Sequence, residues 1–181
     1  MVFQTLKFAV IFIVVMIIYL FIKRPEHFRW RDFLSCVWWV YVITLLLMVF
    51  QSDQPIGELP VSFRERIASG DSINLIPFRT IINFIRYGGY DDTMVNILGN
   101  ILIFIPFGIG VVYLSNRGVS VKRNLIFCLL FPLFIETVQL FVGRNVDVDD
   151  VILNFIGGAI GVYIACGLAK ISPFFRQLTQ K

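Results

Sequence analysis

The sequence predicts an all-α fold, a polytopic membrane bundle of five transmembrane helices with a short interfacial helix in an outer loop. Hydrophobic residues make up 57% of the 181 residues, the mean hydropathy is +0.80, and five apolar stretches are long enough to cross a membrane. Soluble domains are about 45–50% apolar, whereas a spanning helix needs about 20 apolar residues. These three observations together favour a multi-pass membrane protein.

The five predicted spans cover residues 3–22, 33–50, 94–114, 125–142 and 151–171. The first lacks a basic start and a small-residue cleavage site, so we interpret it as a retained helix and not as a signal peptide. The last carries Gly157, Gly161 and Ala165 at four-residue spacing, here called the glycine face. Small residues let helix backbones approach closely. We expect this face to pack on a helix of the same chain in preference to a dimer partner.

Lys and Arg residues predict the orientation, because short cytoplasmic loops are enriched in them. Ten of the 16 lie in the 23–32 loop, in the 115–124 loop and from residue 170 onward. Of the other six, four lie in the long 51–93 loop, and long loops influence orientation weakly. The N-terminus is therefore expected outside and the C-terminus in the cytoplasm, so that the 51–93 loop and the 144–150 turn face outward.

A short helix is predicted inside the 51–93 loop. Pro77 is suited to its start and Gly88-Gly89 to its end. One face is apolar, and the other carries Arg79, Asn83 and Arg86. An amphipathic segment with basic residues is typical of a helix lying in the membrane interface. A helix packed over the mouth of the bundle is the alternative.

Acidic and amide side chains interrupt the last three spans near their predicted outer ends. Helical spacing places each of three pairs on one face of its helix: Asn96 with Asn100, Glu136 with Gln139, and Asp150 with Asn154. A rise of about 1.5 Å per residue puts them all within about 9 Å of the outer surface. An acidic group at mid-bilayer costs roughly 2.5–3.5 kcal/mol, so several polar groups at one level predict a binding or catalytic site. Hydrogen bonding between helices, worth about 1 kcal/mol each, is the alternative.

The turn at 144–150 adds Arg144, Asp147, Asp149 and Asp150. In a structural interpretation, Asp149 or Asp150 caps the last span, because carboxylates suit a helix N-terminus. In a functional interpretation, Arg144 binds a phosphate or carboxylate and the aspartates bind a cation or a polar head group. No metal site and no cofactor is predicted, because the sequence shows no assembled set of oxygen ligands.

Several other classes of site are not supported. The basic residues are spread over several loops, whereas nucleic-acid binding requires a basic patch. Cys36, Cys128 and Cys166 lie within apolar runs without metal-binding spacing, which favours buried small hydrophobic residues. The single histidine, His27, is predicted on the side opposite the polar residues, so no nucleophilic triad is expected.

Four segments resemble the VanZ-like family: NLIPF at 74–78, NILIFIPFG at 100–108, IETVQLF at 135–141 and RNVDVDDVILNFIGGAIG at 144–161. On this resemblance we divide the chain into two N-terminal spans with the start of the outer loop (1–72), a VanZ-like domain with three spans (73–171) and a cytoplasmic tail (172–181). The family is named for a bacterial protein associated with glycopeptide resistance, particularly to teicoplanin. The resemblance implies a bacterial plasma-membrane protein and adds Asn74 to the positions of interest.

Three functional hypotheses follow. The preferred one is a non-enzymatic envelope protein whose outward polar pocket binds a membrane lipid, a lipid-linked wall precursor or a lipoglycopeptide and contributes to teicoplanin-type resistance. The second is an intramembrane enzyme acting on a lipid-linked substrate, with Glu136 as acid or base and with Asn100 or Arg144 stabilising charge. The third is an assembly or stability factor for another envelope protein that uses the glycine face. The sequence leaves binding and catalysis open.

Overall fold

The computed structural model describes residues 30–49, 64–65, 68, 73–115, 120–142 and 144–179. Its helices and strands are α1 (Trp30–Val49), β1 (Ile73–Asn74), α2 (Arg79–Tyr87), α3 (Tyr90–Leu114), α4 (Val121–Phe141), β2 (Val146–Asp147), α5 (Val148–Ile171) and α6 (Pro173–Thr179). The described part of the chain is therefore predominantly helical, as predicted.

Among the described residues, three helices are long and apolar enough to cross a membrane, over Thr93–Leu114 in α3, Val121–Phe141 in α4 and Val148–Ile171 in α5. They confirm the last three predicted spans, although each begins earlier than expected. The predicted second span coincides with α1, and that α1 crosses the membrane stays a prediction. The predicted first span, residues 3–22, lies outside the described residues. The count of five spans is therefore not confirmed.

Helices α3 and α5 pack backbone against backbone through glycines. A Cβ atom added to Gly157 would lie 2.1 Å from the carbonyl oxygen of Ile101, and one added to Gly161 would lie 2.1 Å from that of Ile105. Both distances are far below van der Waals contact, so a side chain has no room there. The glycine face thus packs against a helix of the same chain, as expected from the small-residue spacing.

Aromatic side chains join α1, α3 and α4. The ring of Phe107 on α3 stacks on Trp38 of α1 and on Phe131 of α4, with centroid distances of 5.7 and 4.3 Å. The Trp38 indole also donates to the carbonyl oxygen of Phe107 over 3.3 Å. Offset-stacked rings at such distances add to the stabilisation from burial alone. The hydrophobic core also contains Val162 and Ala165 of α5, so four helices share it.

A two-residue parallel ladder, which the all-α prediction did not include, joins the loop before α2 to the turn before α5. Ile73 pairs with Val146, and Asn74 pairs with Asp147. Each strand lies just before a helix: β1 leads into α2 and β2 into α5. The ladder therefore holds the starts of α2 and α5 side by side.

Helix α2 confirms the predicted short helix, with Gly88 at its C-cap as expected. None of its residues is buried, and Ile82 and Ile85 are 42% and 65% exposed. A helix that covered the mouth of the bundle would bury such residues. Their exposure favours the interfacial position, in which the lipid surface covers them.

Candidate functional site

The polar residues predicted as a layer lie at one end of the bundle. Helices α3 and α5 begin there and α4 ends there. Counted from Thr93, Phe141 and Val148, the ends of the three spans, the residues Asn100, Glu136 and Asn154 lie about 7–11 Å inside. Three helices thus contribute polar side chains at a similar distance from the same end of the bundle.

Asp149 caps helix α2 from the neighbouring helix α5. Its side chain has no exposed surface. One carboxylate oxygen accepts from the backbone N–H of Phe78 at 2.5 Å, and the other accepts from Thr80 and Ile81 at 2.7 and 3.1 Å. Helix α2 has no side-chain cap of its own, and Phe78 at its start has a left-handed φ of 66°. Asp149 therefore satisfies N–H groups that a helix start leaves without partners.

Asp147 is the N-cap of α5. Its Oδ1 accepts from the backbone N–H of Asp149 and from the amide of Asn74, both at 2.9 Å. Its Oδ2 accepts from the hydroxyl of Thr80 at 2.5 Å. The prediction that Asp149 or Asp150 caps the last span is wrong, because α5 begins at Val148 and not at residue 151. The earlier start moves the N-cap position to Asp147.

Both carboxylates thus accept hydrogen bonds from residues of the protein itself. This favours the structural interpretation of Asp147 and Asp149 over binding of an external cation. Thr80 was not among the residues singled out from the sequence. Its hydroxyl resembles that of any polar residue on the exposed face of α2, and its partner Asp147 lies 67 residues away. The pairing of β1 with β2 and the cap that Asp149 forms on α2 bring the two together.

Glu136 is buried, with 5% of its surface exposed, and therefore does not point into lipid. Its Oε2 accepts from the backbone N–H of Asp147 at 3.0 Å. With the amide of Gln139 assigned as the donor, its nitrogen lies 2.9 and 3.1 Å from the two Glu136 oxygens. Glu136 thus connects α4 to the turn before α5, and Gln139 supports it from the next turn of the same helix.

Asp150 extends the site to α3, because its Oδ1 accepts from the side-chain amide of Asn100 at 2.8 Å. The carboxyl groups of Glu136 and Asp150 are close enough to interact electrostatically, and the positive charge of Arg144 acts on both. Arg144 itself is exposed, and its backbone N–H donates to the carbonyl oxygen of Gln139 at 3.0 Å. An acidic pair, of which Glu136 is buried and Asp150 half-buried, therefore lies between the three helices with a cation at its edge.

Asn154 lies one helical turn beyond Asp150 on α5 and is 5% exposed. Its Oδ1 accepts no hydrogen bond from any residue that the structure describes. A buried polar atom without a partner costs about 1–3 kcal/mol, so native structures rarely contain one. This oxygen is an acceptor available to a donor from outside the described chain.

We call Asn100, Glu136, Asp150 and Asn154, with Arg144 at the edge, the polar cluster. Asn96 is exposed one turn before Asn100, at the rim. Arg79, Asn83 and Arg86 are exposed on α2 and contribute no contact to the cluster that the structure shows. Within the described ranges, no three His, Cys, Asp or Glu side chains are grouped so as to hold a metal ion. Chemically, the cluster offers buried acceptors for hydroxyl, amide or ammonium donors and a cation for a nearby anion.

Comparison with known proteins gives two matches. The model of the VanZ/LLP1 family matches residues 38–170, a range that begins within α1 and ends within α5. Protein VanZ of Enterococcus faecium is 28% identical over 125 residues, which cover 68% of this chain and 67% of that protein. No solved structure matches. The segments quoted for the family resemblance all fall inside the matched range.

Proposed function

The chain belongs to the VanZ/LLP1 family, and on that basis we propose that it is a bacterial cell-envelope membrane protein whose polar cluster binds the head group of an amphiphile. The ligand is a lipid-linked wall precursor or a lipoglycopeptide, and binding contributes to teicoplanin-type resistance. In this proposal the end of the bundle that carries α2 faces outward, as the distribution of Lys and Arg predicts.

The unpaired oxygen of Asn154 is the observation that carries the proposal. If the polar cluster served only to join helices, its buried atoms would pair with one another, as Asn100 and Asp150 do. Asn154 is nearly fully buried and yet its Oδ1 has no partner among the described residues. A hydroxyl or amide N–H of a ligand would satisfy it and recover the cost of its burial.

The charges of the cluster support a head group with both donors and an anion. Glu136 and Asp150 supply acceptors inside the bundle, and Arg144 supplies a cation at the exposed edge. Arginine binds phosphate and carboxylate groups through two parallel N–H donors. Lipid-linked wall precursors and lipoglycopeptides both carry hydroxyl and amide groups together with an anionic group, next to a hydrocarbon chain.

The depth of the cluster supports an amphiphile over a water-soluble ligand. Asn100, Glu136 and Asn154 lie about 7–11 Å inside their spans, and the hydrocarbon core of a bilayer is about 30 Å thick. The cluster therefore lies in one leaflet, close to the level at which head groups meet their chains. A lipid-linked ligand would reach this level by moving sideways within the membrane.

Susceptibility to teicoplanin tests the proposal in a strain whose resistance depends on this protein. We expect Glu136→Gln and Arg144→Ala each to lower the minimum inhibitory concentration at least fourfold at equal protein level. The matched control is Arg86→Ala, which removes an exposed arginine from α2 outside the cluster. Resistance that survives both cluster substitutions contradicts the proposal.

Catalysis is the second candidate, and the closeness of Glu136 to Asp150 is the observation that favours it. Two carboxyl groups in a buried site are the arrangement from which acid and base catalysts are built. Turnover of a labelled polyprenyl-linked or glycerolipid substrate by the purified protein, lost in Glu136→Gln, would establish an enzyme. Binding of the intact ligand without turnover supports the head-group proposal.

An assembly factor that acts through the glycine face has less support. Gly157 and Gly161 already lie against the backbone of α3, and an added Cβ atom would collide there with carbonyl oxygens. That surface is therefore covered from within the chain, and another protein would have to bind a different face of the bundle.

A further inference from the structure

A cavity of about 560 Å³ lies between α1, α3 and α4. It is separate from the polar cluster, because its polar residues lie at the opposite end of α4. Asn124, one of them, precedes Glu136 by 12 residues, or about 18 Å along the helix. Six of its 13 lining residues are aromatic, and we call it the aromatic cavity: Trp38, Trp39, Phe107, Phe127, Phe131 and Phe134.

Asn124 lines the aromatic cavity and is 1% exposed. Both polar atoms of its side chain, Nδ2 and Oδ1, have no hydrogen-bond partner among the residues that the structure describes. An amide transferred into an apolar environment without hydrogen bonds costs about 2–7 kcal/mol, depending on the reference state. The side chain therefore offers a donor and an acceptor to a group bound in the cavity.

Arg123 supplies a positive charge at the same end of the cavity. Its guanidinium donates to the hydroxyl of Ser115, which also lines the cavity. This contact spans from the end of α3 to the start of α4 and so fixes where the charge lies. A cation and an unpaired amide at one end of an apolar cavity match an anionic group attached to a hydrocarbon chain.

The length of the cavity fits one chain of a membrane lipid. Beyond Arg123 at its end, the lining on α4 runs from Asn124 to Phe134, ten residues or about 15 Å along the helix. Asn124, Phe127, Phe131 and Phe134 follow helical spacing and so face one side. A length of about 15 Å is half of a hydrocarbon core of about 30 Å. The aromatic wall thus extends from one membrane surface to about the mid-plane.

We propose that the aromatic cavity binds an amphiphile whose phosphate head group carries a net negative charge, with one hydrocarbon chain between α1 and α4 and the phosphate at Arg123 and Asn124. The phosphate oxygens accept from the Arg123 guanidinium and from Asn124 Nδ2, and a hydroxyl of the head group donates to Asn124 Oδ1. Anionic phospholipids and polyprenyl phosphates share this chemistry. The site lies in the leaflet opposite the polar cluster, and its existence does not depend on what the cluster binds.

Photo-cross-linking of the full chain in phosphatidylcholine nanodiscs tests the proposal. Three probes carry a diazirine on the hydrocarbon chain: phosphatidylglycerol, a polyprenyl monophosphate and, as zwitterionic control, phosphatidylcholine. We expect at least one anionic probe to label Phe127 and Phe131 with at least fivefold higher yield than the control. The anionic probe with the higher yield identifies the source of the ligand.

Three substitutions distinguish binding in this site from a general attraction of anionic lipids to the protein surface. Arg123→Gln is expected to lower the anionic yield at least fivefold, whereas the neighbouring exposed Lys122, as Lys122→Gln, changes it less than twofold. Asn124→Leu is expected to lower the yield as well, while its thermal unfolding temperature in lipid-free detergent stays equal or rises, because no unpaired amide remains.

Equal labelling of Phe127 and Phe131 by all three probes overturns the proposal, and it is the result expected if residues 3–22 of the same chain fill the cavity. An equal loss of labelling in Lys122→Gln and Arg123→Gln overturns it too, because surface charge alone would then explain the attraction. The proposal is also overturned if Asn124→Leu lowers the unfolding temperature in lipid-free detergent and leaves the labelling unchanged. That result would show that the amide of Asn124 stabilises the protein and does not bind the lipid.

Discussion

The acidic side chains near the start of α5 differ in how many hydrogen bonds they accept from other residues of the protein. Asp149 accepts three backbone N–H groups, and Asp147 accepts one N–H group, one amide and one hydroxyl. Asp150 accepts one amide, that of Asn100, in the part of the chain that the structure describes. The first two carboxylates are therefore committed to the fold, whereas Asp150 keeps an oxygen for a ligand.

Replacing Asp149 tests this difference through stability. Asp149→Ala leaves the N–H groups of Phe78, Thr80 and Ile81 without their acceptor, so we expect the free energy of unfolding to fall by at least about 2 kcal/mol. Asp150→Ala, one residue away, loses one amide contact and is expected to cost less than half as much. Thermal unfolding in detergent measures both. Equal losses would show that Asp149 does not hold α2 in place.

For Asn154 we expect the opposite result: a substitution that weakens ligand binding and does not lower the stability of the protein. Asn154→Leu replaces an unpaired amide oxygen by an apolar group of similar size, a change that is nearly neutral or stabilising. We expect an unchanged or higher unfolding temperature and at least tenfold weaker binding of labelled teicoplanin or lipid-linked precursor, equivalent to about 1.4 kcal/mol. Asn83→Leu makes the same chemical change at an exposed position on α2 and should leave binding intact. A destabilised Asn154→Leu with normal binding would identify Asn154 as a helix-joining residue.

For single residues, the helical period predicted which side chains share a face of a helix, but it did not predict which residue caps the helix. A helical period is sufficient to place Asp150 and Asn154 on one side of α5 and Glu136 with Gln139 on one side of α4. The role of Asp147 depends on the ladder with Asn74, a residue 73 positions earlier. A long-range contact of this kind leaves no local pattern, so the start of α5 and its N-cap could not be predicted.

At the scale of whole helices, the contact between α3 and α5 determines how closely the polar side chains approach one another. Asn154 lies one turn before the glycine face, and Asn100 directly precedes Ile101, whose carbonyl oxygen meets Gly157. The two backbones are therefore in contact immediately below the polar cluster. Small residues at this point make possible the hydrogen bond between Asn100 and Asp150, which lies two turns before Gly157 on α5.

Two glycines of α5 test the importance of this contact. Gly157→Ala would bring a Cβ atom to 2.1 Å from the carbonyl oxygen of Ile101, whereas a Cβ at Gly167 meets nothing within 4 Å. We expect Gly157→Ala to destabilise the protein by about 1–3 kcal/mol and Gly167→Ala to stabilise it by up to about 1 kcal/mol through helix propensity. Thermal unfolding of the two variants gives the comparison. Similar effects at both positions would contradict close packing of α3 on α5.

Small-residue spacing was sufficient to predict this helix contact, but its partner helix could not be named. Gly157 and Gly161 recur at four-residue spacing, which indicates a close neighbour without identifying it. Three elements were harder to predict from the sequence. The strands β1 and β2 have two residues each, which is too short for a strand pattern. Helix α1 has no sequence feature that determines its angle to α3. Their positions follow from packing between distant parts of the sequence.

On the scale of the whole molecule, the structure fixes which loops share an end of the bundle. Ser120 directly precedes α4 and Asn145 follows it, so the two lie at opposite ends of a span of 21 residues. At about 1.5 Å per residue this distance is about 30 Å, the thickness of a hydrocarbon core. Which end is outside depends on the Lys and Arg counts, and the proposed binding of a wall precursor from the outer leaflet depends on that orientation.

Cysteine labelling in intact cells tests the orientation. In a background with Cys36, Cys128 and Cys166 replaced by alanine, Asn145→Cys should react with a membrane-impermeant maleimide added outside, because residue 145 is exposed beside the polar cluster. Ser120→Cys, equally exposed at the other end, should react only after the membrane is permeabilised. Labelling of position 120 but not 145 in intact cells would place the polar cluster on the cytoplasmic side. A lipoglycopeptide added from outside would then have no access to Arg144, and the aromatic cavity would be the site open to the outer leaflet.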